Sequence, residues 1–416
     1  MIMWGNNMST VERRVLDFFE KNIIWFLYGF ITIAALVLRY QFVDWKMSDY
    51  NDYLEPWFLE LKRAGGLRGL GQIIGNYNVL YLFLLALLTY IPLEPVILIK
   101  GLSVCMDLLG AILGAILCKG KNKSIGNITS AMIYGIILML PNVFINSSVW
   151  AQCDFSYTAF LMLSIWFMFK DKFRLAVIVF GIAFAFKLQA VFFLPVLLVY
   201  YIVKKRFSIL EFLWWPAMWL MTSVPALLMG RSFDSVVRIY KDQVTLYNWM
   251  TLNYPNIYCI FQKAGNEPEA YENFSTMAIL LTMFILAVGC TYAVKKKMVG
   301  QKVELLGLST WCLFTCVQVL PAMHERYGFP AEIMAVCYAF MRKDKWGFLV
   351  SFLINGSISI NYIALVFNGI ETPRYLLMVV NLAAYALLTY LLLKQGIGRN
   401  SSPAEAAPSE INGVPT

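Results

Sequence analysis

The chain has 416 residues, of which 60% are apolar and only 14% are charged, and its mean hydropathy is +0.64. Soluble domains contain about 45–50% apolar and about 25% charged residues, so this composition excludes an ordinary soluble protein and predicts an integral membrane protein. The net charge of +9 comes from short Lys/Arg clusters between apolar runs. Such clusters set membrane topology, and no nucleic-acid partner is expected.

The segment 1–21 is too polar for the apolar core of a signal peptide and is predicted to lie in the cytoplasm. The apolar run 22–42 is long enough to cross a bilayer, because about 20 residues suffice. A single all-α transmembrane domain is predicted over 22–394. The tail 395–416, rich in Ser, Pro, Ala and Gly, is predicted to be disordered.

Later apolar runs predict spans that leave every basic cluster on the cytoplasmic side, with short interfacial helices in the first outer loop and about 11–13 transmembrane helices in total. Region 73–118 is ambiguous: it has the length for two spans, whereas the flanking charges require an odd number. Either one of the two apolar runs is short, re-entrant or interfacial, or one of the flanking basic clusters does not mark the cytoplasmic side. The spans predicted after this region are 125–146, 155–169, 174–187, 189–203, 208–229, 276–294, 303–321, 328–341, 346–367 and 374–393.

On this topology, four polar segments from distant parts of the chain reach the outer face. They are "SDYNDYLEPW" at 48–57, "NSSVWAQCDF" at 146–155, "KLQ" at 187–189 and "HERY" at 324–327, the last holding the only histidine. Because ionisable groups at membrane depth are costly, they tend to face a cavity and pair with one another. We therefore predict that these segments form one site.

Structural explanations exist for the first two segments. Asp49 and Asp52 could be solvated in a polar loop or could cap a helix. Trp57 and Trp150 could be interfacial belt residues, which is the usual role of tryptophan at the end of a span. None of these explanations would require the two segments to meet.

The other two segments also have structural explanations. Lys187 could extend its ammonium group from a helix end to the interface. Glu325 and Arg326 could form a structural ion pair, and His324 could be a hydrogen-bonded core residue. A purely structural role for all four polar segments together is disfavoured.

Two further features are open to interpretation. The long outer loop 231–275 carries Trp249, Tyr254 and Tyr258, which could stack on a sugar or lie at the headgroup level. Lys100 and Asp107 are seven residues apart and share one helical face. We expect these two charges to form a structural pair between spans.

The four motifs "SDYNDYLEPW", "NSSVWAQCDFSYT", "GIAFAFKLQAVFFLPVLL" and "PAMHERYGFP" resemble polytopic glycosyltransferases of the GT-C class. They are most similar to the bacterial branch related to glycosylphosphatidylinositol mannosyltransferases, and more distantly to dolichol-linked glucosyltransferases. The resemblance covers roughly residues 25–390. It implies a hexosyltransferase in the bacterial cytoplasmic membrane. The implied donor is a polyprenyl-phosphate-linked sugar, and the acceptor is a glycolipid, wall polymer or capsule precursor outside the cell.

The resemblance also implies roles for individual residues. Asp49 best fits the acidic general base of the first outer loop, with Asp52 as a second catalytic candidate. Where the glucosyltransferases have His-Phe-Gln-Tyr-Asn, this chain keeps Gln152 and has the acid Asp154 in place of the amide. The implied donor-phosphate ligands are His324, Glu325, Arg326 and Lys187. The implied substrate-binding residues are Tyr50, Trp57, Trp150, Gln152, Asp154, Gln189 and Tyr327.

Reaction chemistry is compatible with these roles. A sugar phosphodiester carries a good leaving group, so an inverting displacement needs a carboxylate to deprotonate the acceptor and cations to stabilise the departing phosphate. No metal or other cofactor is expected, because the sequence has no D-x-D in a nucleotide-sugar context, no H-E-x-x-H and no P-loop. The alternatives are a flippase or a polymerase of lipid-linked saccharides, although the internal repeats common in transporters are not visible.

Overall fold

The computed structural model of the chain describes residues 8–119, 125–262, 267–367 and 374–398. The described residues are mostly helical, as the apolar runs predict. Most of the basic cluster 119–123 and the predicted tail beyond Gly398 lie outside the described residues. The helices are α1 (Thr10–Tyr40), α2 (Glu55–Arg63), α3 (Val79–Leu88), α4 (Pro95–Leu117), α5 (Ile128–Met139), α6 (Pro141–Phe144), α7 (Asp154–Met168), α8 (Phe173–Phe186), α9 (Leu194–Lys204), α10 (Trp214–Leu228), α11 (Phe233–Thr245), α12 (Cys259–Gln262), α13 (Glu267–Lys295), α14 (Lys302–Val319), α15 (Phe329–Arg342), α16 (Lys345–Val366) and α17 (Arg374–Gly398).

Helices α1, α4, α13, α16 and α17 are each long and apolar enough to cross a membrane. Helix α5 meets the segment Pro141–Val149, made of α6 and the π-helix Ile145–Val149, at a 54° bend, and together they would make a sixth span. The bend falls where Pro141 follows Leu140, because the residue before a proline is pushed out of the helical conformation. The protein is therefore an all-α polytopic membrane protein. The predicted total of spans stays a prediction, since α3, α7, α8 and α9 are apolar but shorter.

The ambiguous region 73–118 contains one short helix and one long helix. Helix α3 has ten residues and is about 15 Å long, half of the roughly 30 Å hydrocarbon core. Helix α4 has 23 residues and is long enough to cross. This arrangement agrees with the alternative in which one piece is short. The first loop, as predicted, contains short helices: α2 is preceded by a π-helix, Tyr50–Leu54, and followed by a 3₁₀-helix, Gly66–Gly71.

The predicted break within 174–203 is also present. Helix α8 ends where Lys187 adopts an extended backbone conformation, with φ of −152° and ψ of 134°. A 3₁₀-helix, Leu188–Phe193, then leads into α9, whose first turn contains Pro195. The side chains of Lys187 and Gln189 are thereby placed on a connection between helices.

Two groups of packed helices position these connections. In the first group, α7 packs against α4 and α8, and α8 packs against α10. In the second, α14 packs against α15 and α17, while α16 packs between α15 and α17. Contact between α7 and α15 joins the groups, with the rings of Phe155 and Phe329 edge to face at 5.2 Å. Most buried apolar residues between Ala35 and Leu392 form one connected core, and Met250, Tyr258, Ala270 and Ala278 form a smaller separate cluster.

A buried ion pair fixes the end of α1 against α4. Arg39 and Asp107 lie 2.8 Å apart, and both side chains are almost completely buried. Ser147 donates a hydrogen bond of 2.6 Å to the same carboxylate. The predicted pairing of Lys100 with Asp107 is therefore wrong. Lys100 instead donates to three backbone carbonyls after α1, of Phe42, Val43 and Trp45.

Replacing Asp107 by Ala should destabilise the protein by about 3–5 kcal/mol, because it leaves the Arg39 guanidinium buried without a counter-charge. The double variant Arg39→Met/Asp107→Leu should recover most of this loss, since no buried charge then remains. Unfolding in detergent micelles would measure both variants. The exposed Arg174, paired with Glu211, offers a control, and Arg174→Ala should leave stability nearly unchanged. Equal losses for Asp107→Ala and Arg174→Ala would contradict the structural role.

Candidate active site

A cavity of about 100 Å³ collects side chains from all four predicted segments. Each segment reaches it from the end of a helix or from a connection between helices, which is why residues distant in sequence can meet there. The sequence-predicted residues that line the cavity are Asp49, Trp57, Gln152, Lys187, Gln189, His324, Arg326 and Tyr327. The prediction that the four segments converge is confirmed. The roles of these residues in a reaction remain predictions.

Asp49 is held in place by two hydrogen-bond donors. Its Oδ2 accepts from Nε2 of Gln152 at 2.6 Å and from Nη1 of Arg326 at 2.8 Å. Gln152 is oriented in turn by the hydroxyl of Tyr77, which donates to Oε1 at 2.8 Å. Asp49 precedes the π-helix Tyr50–Leu54, but its side chain does not cap it. Among the described residues, none donates a hydrogen bond to Oδ1 of Asp49.

Lys187 is held by a buried carboxylate rather than extended to the interface. Its ammonium group pairs with Oδ1 of Asp154, which is fully buried. The other carboxylate oxygen of Asp154 accepts a hydrogen bond of 2.8 Å from Asn146. Lys187 also lies 5.9 Å and 6.0 Å from the ring centroids of Tyr77 and Tyr327, within cation–π range. These contacts fix one positive charge at the cavity wall.

The His-Glu-Arg triplet is organised around Glu325. Its buried carboxylate lies 3.1 Å from Nδ1 of His324 and 3.6 Å from Nη1 of Arg326. Burial acts to raise the pKa of Glu325, but the charge and hydrogen bond of His324 and the charge of Arg326 outweigh it and lower the pKa to about 2. Burial acts to lower the pKa of Arg326, yet its neighbours Tyr77, Asp49 and Glu325 raise that pKa well above its ordinary value. Arg326 and Glu325 are therefore both charged near neutral pH.

The long loop after α10 supports the triplet through backbone pairing, which the sequence did not indicate. Strand β1, Thr251–Leu252, pairs in parallel with strand β2, Met323–His324. The amide of Glu325 donates to the carbonyl of Leu252 at 3.0 Å. The ring of Tyr247 lies edge-on to His324 at 5.3 Å and lines the cavity. This pairing fixes the position of the triplet relative to the other three segments.

The three aromatic residues singled out in this loop are not cavity residues. Tyr254 and Tyr258 are buried in the protein core, so they cannot stack on a ligand. The hydroxyl of Tyr258 donates to the carbonyl of Val319 at 2.7 Å. Trp249 is exposed but does not line the cavity. The sugar-stacking interpretation of these residues is therefore not supported, and the aromatic residue of this loop that lines the cavity is Tyr247.

Some sequence-predicted site residues lie outside the cavity. Asp52 is exposed to solvent, and Tyr50 is buried with its hydroxyl donating to Glu55 at 3.0 Å. Trp150 is buried edge-to-face against Tyr362, with the ring centroids 5.3 Å apart. These three positions do not face the residues that converge on Asp49. Two further predicted residues, Asp154 and Glu325, are buried behind the cations of the cavity wall and act on them rather than on a ligand.

Several cavity residues were missed from the sequence. They are neutral, and each lies in a loop or at a helix end, where an uncharged polar side chain gives no strong signal. The tetrapeptide "GNYN" between two apolar runs is the one sequence pattern that could have indicated part of this set. The missed polar and aromatic residues are Tyr53, Asn76, Tyr77, Asn78, Gln243 and Tyr247.

Two buried polar atoms on cavity residues have no hydrogen-bond partner in the described parts of the chain. They are Nε of Arg326, which is a donor, and Oε1 of Gln189, which is an acceptor. Each buried polar group without a hydrogen-bond partner costs about 1–3 kcal/mol of stability. A ligand that hydrogen-bonds to both groups removes this cost, which strengthens its binding. An anionic oxygen suits the guanidinium, and a hydroxyl group suits the amide oxygen. The described ranges contain no group of three or more His, Cys, Asp or Glu side chains that could hold a metal ion.

Comparison with known proteins gives no relative: no protein-family model matches this chain, and no curated protein shows significant similarity to it. The resemblance to GT-C transferases therefore depends on the four motifs of this sequence. What can be argued about function comes from the residues of the cavity and their chemistry.

Replacing Glu325 by Gln should destabilise the protein in a pH-dependent manner. In the folded state the pKa of Glu325 is about 2, below its ordinary value of 4.5. Its ionised form therefore stabilises the fold fully above about pH 5.5, and this contribution is lost as the pH falls from 4.5 toward 2. The difference in unfolding free energy between the wild type and Glu325→Gln should therefore be greatest above about pH 5.5 and fall to less than half of that value by about pH 3.

Chemical unfolding in detergent at a series of pH values would measure this difference. The matched control is Asp52→Asn, because Asp52 is exposed, and it should change stability by no more than about 0.5 kcal/mol. A Glu325→Gln effect that does not vary with pH would show that packing, and not the ionised carboxylate, stabilises this part of the fold.

Proposed function

We propose that this chain is a membrane glycosyltransferase. It moves a hexose-type sugar from a polyprenyl-phosphate carrier to a hydroxyl group of a glycolipid, cell-wall or capsule acceptor, with inversion at the anomeric carbon. The reaction takes place at the outer face of a bacterial cytoplasmic membrane. The observation that carries this proposal is the meeting of the Asp49 carboxylate with Lys187, His324 and Arg326 in one cavity of a polytopic membrane protein.

Asp49 is the general base in this proposal. Its Oδ2 is occupied by Gln152 and Arg326, which orient the carboxylate, while Oδ1 is left to accept the proton of the acceptor hydroxyl. A base must lie within hydrogen-bond distance of the proton that it removes, and an oriented carboxylate in a cavity meets this requirement. The acceptor oxygen then attacks the anomeric carbon from the face opposite the phosphate.

The cations stabilise the leaving group. As the bond from the anomeric carbon to the phosphate oxygen breaks, the electron pair stays on that oxygen and the phosphodiester becomes a phosphomonoester with an additional negative charge. Nε of Arg326 offers an unused donor for this oxygen, and Lys187 and His324 lie on the same cavity wall. Because buried carboxylates already hold Lys187 and Arg326, little reorganisation is required as the charge develops.

The neutral residues provide a sugar-binding surface. Amide groups of Asn76, Asn78 and Gln243 line the cavity together with Gln189, whose Oε1 can accept a hydrogen bond from a sugar hydroxyl. Trp57 contributes an aromatic wall. Planar amides and aromatic rings together suit a ligand that has both hydroxyl groups and an apolar face. A prenyl chain would remain in the bilayer, while its sugar phosphate reaches the cavity between the helix ends.

Substituting Asp49 by Asn should reduce sugar transfer by about 10²–10⁴-fold, because the amide cannot accept the proton of the acceptor. Donor binding should be retained, since Asn keeps the size of the side chain. The assay is transfer of radiolabelled sugar from a panel of polyprenyl-phosphate sugars to lipid or glycan acceptors by the purified protein. The anomeric configuration of the product, determined by NMR, tests for inversion.

Asp52→Asn is the matched control, because the same substitution is made two residues away in the same loop but outside the cavity. It should keep wild-type turnover. Arg326→Lys should fall between the wild type and Asp49→Asn, since the positive charge remains but the planar fork and its Nε are lost. If no donor is used, or if Asp49→Asn keeps wild-type rates, a flippase or polymerase of lipid-linked saccharides becomes the better hypothesis.

Chelation of divalent metals should leave the transfer rate unchanged, because protein cations supply the charge that would otherwise come from a metal ion in this mechanism. The measurement is the same transfer assay after dialysis against EDTA, with inhibition of a metal-dependent transferase as the positive control. Loss of activity that returns with manganese would instead make Asp49 and Asp52 candidate metal ligands.

A further inference from the structure

A groove of about 430 Å³ lies between helices α13, α14 and α17, and none of its lining residues belongs to the candidate active site. Phe284, Val288 and Tyr292 of α13 form one wall, and Thr389 and Leu393 of α17 belong to the other. Trp311 of α14 also lines the groove. Phe284 and Val288 are more than half exposed, so the groove opens onto the outer surface of the helix bundle.

The polar atoms in this groove are already used by the protein. The hydroxyl of Tyr292 donates to the carbonyl of Leu393 at 2.8 Å, and Nε1 of Trp311 donates to the hydroxyl of Thr389 at 2.9 Å. The Thr389 hydroxyl donates in turn to the carbonyl of Tyr385 at 2.8 Å. The groove therefore offers carbon atoms and aromatic faces but no unused hydrogen-bonding group. A hydrocarbon chain is the chemical class that such a surface accepts.

The length of the groove matches one leaflet of a bilayer. Its α13 wall runs from Phe284 to Ala293, which is about 14 Å at 1.5 Å per residue. The hydrocarbon core is about 30 Å thick, so each leaflet contributes about half of that. A chain that lies along the groove would thus extend from the edge of the hydrocarbon core toward its middle.

In the described part of the chain, a lysine cluster lies near one end of the groove. Lys295 comes two residues after the lining residue Ala293, and Lys394 directly follows the lining residue Leu393; both side chains are exposed. Lys296 Nζ lies 6.0 Å from the ring centroid of Tyr292, which lines the groove. The nearest acid in sequence is Glu304, which is buried and accepts a hydrogen bond of 3.1 Å from the amide of Gln301. The groove therefore ends in a positively charged surface at the level where lipid headgroups are expected.

We infer that this groove binds one anionic glycerophospholipid, with an acyl chain along α13 and α17 and the phosphate at the lysine cluster. The apolar walls account for the chain, and the lysines account for the preference for an anionic headgroup. This site is separate from the cavity around Asp49. The inference does not depend on the proposed transferase activity, and its test does not measure that activity.

The experiment is native mass spectrometry of the full-length protein, titrated in mild detergent with phosphatidylglycerol or phosphatidylcholine of identical acyl chains. The wild type should retain one phosphatidylglycerol more tightly than phosphatidylcholine. Reversing two charges with Lys295→Glu/Lys394→Glu should weaken phosphatidylglycerol binding roughly tenfold or more, because each lysine near a headgroup contributes measurable attraction. Phosphatidylcholine binding should be unchanged. Val288→Trp, which fills the groove, should weaken binding of both lipids.

Two matched controls distinguish the groove from the general surface. Met283→Trp adds the same bulk at an exposed neighbour that does not line the groove, and Lys345→Glu reverses a charge at the start of another helix. Both should bind lipid like the wild type, and thermal unfolding verifies that every variant is folded. Equal binding by Val288→Trp and Met283→Trp would overturn the site. Equal affinity for the two lipids, or a bound mass equal to a second chain or a polyprenyl phosphate, would overturn the anionic phospholipid as its occupant.

Discussion

Each fixed cation at the cavity wall is held from behind by a buried carboxylate, and the convergence of the four segments depends on these pairs. Asp154 holds Lys187, and Glu325 holds Arg326. A buried charge without a partner costs several kcal/mol, so neither cation can be placed in an apolar bundle alone. The partners of Lys187 lie at the start of α7, and those of Arg326 include Asp49, which is 277 residues away. Asp49 also accepts a hydrogen bond from Gln152, just before α7, so the contacts of Arg326 and Gln152 with one carboxylate join the two helix groups at the cavity.

Irregular backbone at the helix ends completes this arrangement. π-Helices follow Asp49 and precede Gln152, and such insertions are frequent at functional sites because they redirect side chains. Ala151 and Ala322 adopt positive φ of 59° and 57°, a conformation that costs non-glycine residues free energy. Each lies shortly before a cavity residue. The packed helices maintain this strain, and the polar side chains of the connections are thereby aimed at a common point.

The class of the protein and the meeting of the four segments were predictable, because both follow from large free-energy costs that leave clear patterns in the sequence. Apolar runs reveal the helices, and charges at membrane depth must pair. The partner of Asp107 was not predictable, since helical spacing places Lys100 on the same face but does not say that α1 supplies Arg39. Tyr77 was also missed, because a neutral side chain costs little in either a loop or a cavity. Backbone pairing of two-residue strands leaves no pattern in the sequence.

The ion pair between Asp49 and Arg326 implies an order in which donor and acceptor take part in the proposed reaction. With no anion in the cavity, the guanidinium of Arg326 pairs at 2.8 Å with the carboxylate that would serve as the base. A phosphate arriving at the guanidinium would compete with Asp49 for the same hydrogen-bond donors. The carrier-linked sugar would then bind before the acceptor is activated. In this order Asp49 is released from Arg326 only after the donor phosphate has bound, so the base and the anomeric carbon are presented to the acceptor together.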